Sequence, residues 1–176
     1  LAGAPEVAPP KLPRIAAPEM PAVRPETTVA IVVGPSTHPP GTHEVKAGGR
    51  LLAWALENMK NVSGVRARVF FEEWPRDRTV LDDVDAVVFI GDLFPPHRME
   101  DSATILEDLA AIMRRGAGIV CLHHANGVPA ENAPPNGAHP LLEWMGGYFA
   151  PRNRHHRSVA RVFDSVTVSP AGPGHP

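Results

Sequence analysis

Four short apolar runs, rich in β-branched residues, alternate along the chain with segments of helical periodicity. The runs are almost continuously apolar, which is typical of parallel strands that helices cover on both faces. A strand on the open face of an antiparallel sheet would instead alternate apolar and polar residues. The predicted strands are residues 28–34, 67–71, 85–91 and 118–122.

Between these runs, apolar residues recur at the spacing of amphipathic helices. The first helix is predicted over residues 45–61, and a second follows Ser102, the predicted N-cap, and stops before Gly116. A short helix is predicted over residues 141–145. Alternating strands and helices with short connections predict a doubly wound, flavodoxin-like, mainly parallel α/β sheet with strand order 2-1-3-4.

The two ends of the chain differ from this pattern. Residues 1–26 are crowded with Pro and Ala and predict an extended tail or linker, which leaves residues 27–176 for the α/β domain. Residues 158–163 and 165–169 are predicted as β segments that extend the sheet. Because residues 170–176 resemble a loop that leads into further structure, we expect the domain to be incomplete at its C-terminal end.

The composition excludes some classes of binding partner but does not determine the cellular location of the protein. The net charge of −2 and the isoelectric point near 6.5 give no field that attracts nucleic acid, and no apolar run reaches the ~20 residues of a membrane helix. We therefore expect neither nucleic-acid binding nor membrane insertion. Residues 1–4 are small and apolar, as at the end of a bacterial export signal, or they begin an arbitrary fragment. The oligomeric state stays open.

Histidines follow two of the predicted strands. His38, His43 and Glu44 lie in the connection after the first strand, and His123 and His124 follow the fourth. The carboxyl ends of neighbouring parallel strands form the crevice where ligands bind, so we expect the two segments to converge on one pocket. Taken alone, the first segment is also consistent with a structural turn, and His123 and His124 are also consistent with core or surface histidines that make one hydrogen bond.

Neutral imidazoles and carboxylates suit a divalent cation such as Zn²⁺ or Mn²⁺, although the spacing lacks the helical HExxH register. We expect His43 and His123 as ligands. In an extended chain successive side chains point to opposite sides, so only one of His123 and His124 is predicted to face the crevice, and His123 is favoured. Asp92, at the tip of the third strand, is expected to orient an imidazole, to join a metal shell or to contact substrate, and His124 is a further candidate substrate contact.

Other candidate residues are weaker. His155 and His156 either close the site from above as substrate contacts or belong to a solvated basic loop. Cys121 lies inside an apolar run without a nucleophile elbow, so we interpret it as a core residue. The chain has no GxGxxG or GxxxxGK[ST] motif, and no nucleotide cofactor is expected.

Taken together, several segments resemble the ThuA-like (trehalose utilisation) domain, which is related in fold to class I glutamine amidotransferases. The resemblance covers about residues 28–176 and implies a flavodoxin-like sheet without the amidotransferase nucleophile, a role in bacterial carbohydrate catabolism and a His-lined pocket. The loop histidines and acid of the family fall on His38, His43 and Glu44, and its strand-four histidine falls on His123. The segments that carry the resemblance are Gly34, His38 to Glu44 with Ala47-Gly48, Glu73-Trp74-Pro75, Asp85 to Val88, Gly118 to His123 with Ala125, and Trp144 to Tyr148.

Two functions follow from these observations. The first is a hydrolase or lyase that acts on a sugar or an oxidised (keto) sugar, in which the histidines and Glu44 carry out acid/base chemistry, alone or with a divalent metal. The alternative is a non-catalytic carbohydrate-binding or interaction module. Without a nucleophile elbow, glutamine amidotransferase activity is not expected.

Overall fold

A four-stranded parallel sheet forms the centre of the described part of the chain. The computed structural model describes residues 26–150, 158–159 and 161–167. The strands lie in the order β2-β1-β3-β4, and all three neighbouring pairs are parallel. The predicted doubly wound α/β architecture and strand order are confirmed. The strands are β1 (Thr27–Val33), β2 (Val65–Phe71), β3 (Val84–Ile90) and β4 (Gly118–Leu122).

Helices pack on both faces of this sheet, although Val120 and Leu122 of β4 remain exposed. Helix α1 (Val45–Glu57) packs on the face that includes Ile31 and Val33, and α2 (Ser102–Arg114) packs on the face that includes Phe89. Because side chains of one strand alternate between two buried faces, β1 must be apolar throughout, as its sequence is. None of the helices in the described residues has the length and hydropathy of a membrane span.

Close backbone packing brings α1 onto the sheet and joins the ends of β1 and β3. A Cβ atom on Gly49 of α1 would overlap Cγ2 of Val33, so glycine allows the helix to approach β1. At the strand ends, a Cβ on Gly34 would lie 3.0 Å from Pro95, and a Cβ on Gly91 would lie 3.3 Å from Pro95 and 3.5 Å from the Cα of Gly34. The connections after β1 and β3 therefore leave the sheet side by side.

Some helix boundaries differ from the sequence-based predictions. Helix α1 ends at Glu57, not near residue 61, because the Asn58 side chain donates a hydrogen bond of 2.7 Å to the Trp54 carbonyl and closes the last turn. Ser102 is the first residue of α2 and not its cap. Asp101 holds the N-cap position with φ of 58° and makes no side-chain capping bond. The short helix α3 (Pro140–Met145) is confirmed, ended by Gly146 at φ of 78°.

The β segments predicted after residue 157 are wrong as far as the structure describes them. Residues 158–159 and 161–167 contain no strand. A strand needs a partner edge, but Ser158 pairs with the loop residue Ala150, and Val162 is fully exposed. The predicted tail over residues 1–26 lies, apart from Glu26, outside the described residues.

Candidate functional site

The connection after β1 folds back so that two of its histidines lie side by side. Thr42 closes a turn by donating to the Pro39 carbonyl from its backbone N–H at 3.2 Å and from its hydroxyl at 2.6 Å. The prolines and Gly41, which has φ of 83°, suit such a turn. As a result, the rings of His38 and His43 are 3.8 Å apart, centroid to centroid.

Asp92, the second residue after β3, fixes both of these imidazoles. Its carboxylate lies 2.9 Å from Nδ1 of His38 and 3.3 Å from Nδ1 of His43, and its side chain is 12% exposed. A carboxylate accepts hydrogen bonds, so each Nδ1 carries the proton. In the neutral rings, Nε2 is then the nitrogen with a free lone pair, which is the arrangement found in metal-binding histidines oriented by a carboxylate.

The Asp92 carboxylate is held in its ionised form. Burial alone would raise its pKa, but hydrogen bonds from the Thr37 backbone, from His38 and His43, and from the Ser36 hydroxyl outweigh burial and hold the pKa well below its ordinary value. Ser36 and Thr37 come from the connection after β1. The ionised carboxylate therefore also ties the first connection to the end of β3.

The histidines after β4 lie beside the same group. The His123 ring is 4.8 Å from the His43 ring, and the His124 ring is 5.5 Å from His43 and 6.2 Å from His38. The structure thus brings His38, His43, His123 and His124 together, and we call these four residues the imidazole cluster. Burial lowers the pKa of His124, and the neighbouring imidazoles lower it further, which favours its neutral, ligating form.

Both His123 and His124 reach the imidazole cluster, but only His123, the residue that the sequence favours, lines the cavity at this edge of the sheet. Strand β4 ends at Leu122, and His123 begins a 3₁₀ turn over His123–Asn126. His123 has φ of 55°, a left-handed conformation that is uncommon for residues with a Cβ. The alternation of an extended chain therefore stops before the two histidines, and both rings reach the cluster. Such strain concentrates at functional sites.

Two groups in this region have the geometry to hold a metal ion. Ligand atoms of His43, His123 and His124 all lie within 4.8 Å of one another, and the same holds for His38, His43 and Asp92. Since Asp92 already receives Nδ1 of His43, that ring offers Nε2 to a cation. Three imidazoles with a further open position are the ligand set of many catalytic zinc sites.

A cavity of about 410 Å³ opens at the cluster. His43 and His123 line it together with Glu44, which is exposed and accepts a hydrogen bond from the Gly41 backbone N–H. Glu44 belongs to neither group of candidate metal ligands. The rest of the wall is largely apolar, formed by Val45, Ile90 and Leu122 with Thr42, Gly48 and Gly91.

The remaining candidates are not part of this arrangement. Cys121 packs against the core, and burial raises its pKa to about 12, so the thiol stays protonated and is a poor nucleophile. His155 and His156 lie outside the described residues. The sequence analysis missed a further pair, His97 and His139, because both lie in irregular segments where no periodicity signals a contact.

No family model, no curated protein and no solved structure matches this chain.

Proposed function

We propose that this protein is a ThuA-like enzyme of carbohydrate catabolism, which acts on a sugar or an oxidised (keto) sugar through a metal site in the imidazole cluster. The observation that carries the proposal is the position of Asp92, which receives Nδ1 of both His38 and His43. This single carboxylate contacts the two rings only at their Nδ1 atoms, and the rings that it orients lie beside those of His123 and His124. A structural turn would not require that arrangement.

His43, His123 and His124 would hold a divalent cation such as Zn²⁺ or Mn²⁺. When bound, such a cation polarises an oxygen atom of the substrate or of water. His38 is not part of this group of three but its ring lies 3.8 Å from that of His43. With Nδ1 bonded to Asp92, Nε2 of His38 can accept a proton from the reacting group and return it.

Glu44 is the second proton acceptor in the proposal. Its carboxylate lines the same cavity as His43 and His123 and is exposed to solvent, so it can pass a proton to water. Its hydrogen bond to the Gly41 backbone holds it at the mouth of the cavity. The two acid/base groups both lie near His43, since the His38 ring is 3.8 Å from the His43 ring and Glu44 lines the same cavity as His43.

The cavity suits a sugar better than a wholly apolar ligand. Sugars present hydroxyl groups at their rim and C–H groups on their ring faces, and the cavity combines imidazoles and a carboxylate with Val45, Ile90 and Leu122. Its volume of about 410 Å³ lies within the range of small-molecule sites. The carbonyl of a keto sugar would supply the oxygen that a cation polarises.

The proposal is tested by turnover of oxidised disaccharides, measured as released monosaccharide, with the Zn²⁺-loaded and the Mn²⁺-loaded protein. We expect turnover by wild type and a loss of at least about a hundredfold in His38→Ala, since acid/base groups contribute on that scale. Asp77→Asn is the matched control, because the Asp77 carboxylate is exposed and bonds only to Thr79 among the contacts described for it. Its turnover should equal that of wild type.

A carbohydrate-binding module would give a different result in the same experiment. It would bind the sugar, as measured by calorimetry, but release no product with either metal. Sugar binding without turnover would overturn the enzymatic proposal in favour of the binding module.

A further inference from the structure

A second pair of histidines joins two elements away from the imidazole cluster. His97 lies in the 3₁₀ turn over Pro95–Arg98, and His139 is the N-cap residue of α3. Their Nε2 atoms are 2.8 Å apart, although the residues are 42 positions apart in the chain. His139 is 5% exposed. This contact is therefore a partly buried hydrogen bond between two imidazoles.

The other ring nitrogens of the pair are also bonded. Nδ1 of His139 accepts the backbone N–H of Leu141 at 3.2 Å, and this bond caps the first turn of α3. Nδ1 of His97 lies 3.2 Å from the hydroxyl oxygen of Ser102, at the start of α2. The pair thus links the start of α2, the turn after β3 and the start of α3.

These bonds are compatible with one protonation pattern only. Because Nδ1 of His139 accepts a proton from Leu141, the proton of its neutral ring must be on Nε2, which then donates to Nε2 of His97. The proton of neutral His97 is therefore on Nδ1 and is donated to Ser102. An added proton must go to Nδ1 of His139, where it removes the cap of α3, or between the two Nε2 atoms, where two N–H groups then oppose each other.

We propose that the His97–His139 bond is an acid-sensitive latch, which fastens α3 to the turn after β3 at neutral pH and releases it when either ring gains a proton. Neither histidine belongs to the proposed metal site, so the latch does not depend on the proposed function.

The surroundings of the pair favour the neutral state. Burial lowers the pKa of His97, while Glu131 opposes it, and burial together with His97 lowers the pKa of His139 to about 4. Other charged groups on the elements that carry the pair are Arg98, next to His97, and Glu143 in the first turn of α3. The ring centroids of Phe94 and Tyr148 lie 6.0 and 5.2 Å from the ring centroid of His139.

The latch is connected to the turn that carries His123 and His124. Tyr148 contacts His139, and the next residue, Phe149, donates from its backbone N–H to the Asn126 carbonyl at 3.0 Å. The Phe149 carbonyl accepts the N–H of Val128 at 2.9 Å. Asn126 ends the 3₁₀ turn that begins at His123. Release of α3 would therefore loosen the support of this turn.

The direction of the pH effect follows from the lowered pKa values. In the unfolded chain, both histidines gain a proton near their ordinary pKa of about 6.5. In the closed latch, they gain a proton only at lower pH. The stabilisation is therefore fully present above about pH 6.5 and is lost as the pH falls toward 4. For His139 alone, this difference between the ordinary and the lowered pKa reduces the equilibrium constant for closing the latch roughly thirtyfold at pH 5, relative to neutral pH.

The most direct test is the ¹⁵N NMR spectrum of the two imidazoles in the metal-free wild-type chain. At pH 7 we expect His139 with its proton on Nε2 and His97 with its proton on Nδ1, with His139 resistant to titration down to pH 5 and the pKa of His97 below its ordinary value. The opposite tautomers, or titration of both rings near pH 6.5, would overturn the proposal even if no variant folds.

Amide hydrogen exchange tests the release itself. Between pH 7 and pH 5, after correction for intrinsic exchange, the protection of the Leu141 and Leu142 amides should fall at least about tenfold in wild type. Leu109 in α2 is the internal control. In His139→Asn the side-chain oxygen can still cap α3 but no longer titrates, so protection should stay within about twofold. An equal loss of protection in wild type and His139→Asn, or no loss in wild type, would contradict the latch.

Discussion

The rings of His43 and His123 lie 4.8 Å apart and meet edge to face at 89°. They come from the ends of β1 and β4, which are not neighbours, since β3 lies between them. The residue that follows β3 in this gap is Gly91, and Asp92 comes next. The site therefore spans three strand ends, and the middle one supplies the carboxylate that orients the imidazoles of the first.

Replacing the orienting carboxylate should weaken metal binding without removing a proposed ligand. Asp92→Asn loses the negative charge and one of the acceptor oxygens that receive His38 and His43. We expect the affinity for Zn²⁺, measured by calorimetry at pH 7.5, to fall about 10- to 100-fold. The control Asp77→Asn should keep the wild-type affinity. Wild-type affinity in Asp92→Asn would show that the carboxylate does not support a metal site.

Separate substitution of His123 and His124 tests whether both rings bind the cation. Because both lie within reach of His43, His123→Ala and His124→Ala should each weaken Zn²⁺ binding by at least about tenfold. If only His123→Ala weakens Zn²⁺ binding, then His123 binds the cation and His124 does not. Calorimetry of the two variants beside wild type decides between these outcomes.

Substitution by alanine should have opposite effects on protein stability at two adjacent glycines in α1. A Cβ on Gly49 overlaps Val33, and overpacking of this kind costs about 1–3 kcal/mol of unfolding free energy. A Cβ on Gly48 meets no atom within 4 Å, so Gly48→Ala should stabilise the protein by about 0.5–1 kcal/mol through helix propensity. Urea denaturation measures both. Equal effects of the two substitutions would show that α1 does not approach β1 as closely as described.

Cys121 should be slow to alkylate in the folded protein. With a pKa of about 12, raised by burial, its thiolate fraction at pH 8 is roughly a thousandfold below that of an ordinary cysteine. We expect iodoacetamide modification, followed by mass spectrometry, to be at least about a hundredfold slower in buffer than in urea. Equal rates would place the thiol in an exposed, reactive environment.

Much of the fold could be predicted because its elements depend on local composition. The apolar runs that form β1 and β3 are largely buried on both faces and need no information from distant residues, whereas β4 is as apolar in sequence but exposes Val120 and Leu122. Gly146 ends α3 because its left-handed backbone suits glycine, which the sequence displays directly. The end of α1 was less predictable, since it depends on one hydrogen bond from Asn58 to Trp54.

The site was predictable in its position but not in its detail. Strand topology places the ends of β1, β3 and β4 at one edge, which is enough to expect His43 and His123 near each other. The orientation of His124 depends on the left-handed backbone of His123, which no periodicity reveals. The bond between His97 and His139 depends on how a loop folds over 42 residues. The predicted strands after residue 157 had suitable composition but, among the described residues, found no edge with which to pair.

The most direct measurement of the central claim is the zinc X-ray absorption spectrum of the protein loaded with one equivalent of Zn²⁺. With His43, His123 and His124 as ligands, the spectrum should show three imidazole nitrogens at about 2.0–2.1 Å, and one fewer in His123→Ala. A spectrum with a sulfur ligand, or one with fewer than two imidazoles in wild type, would contradict the claim that these histidines form a metal site.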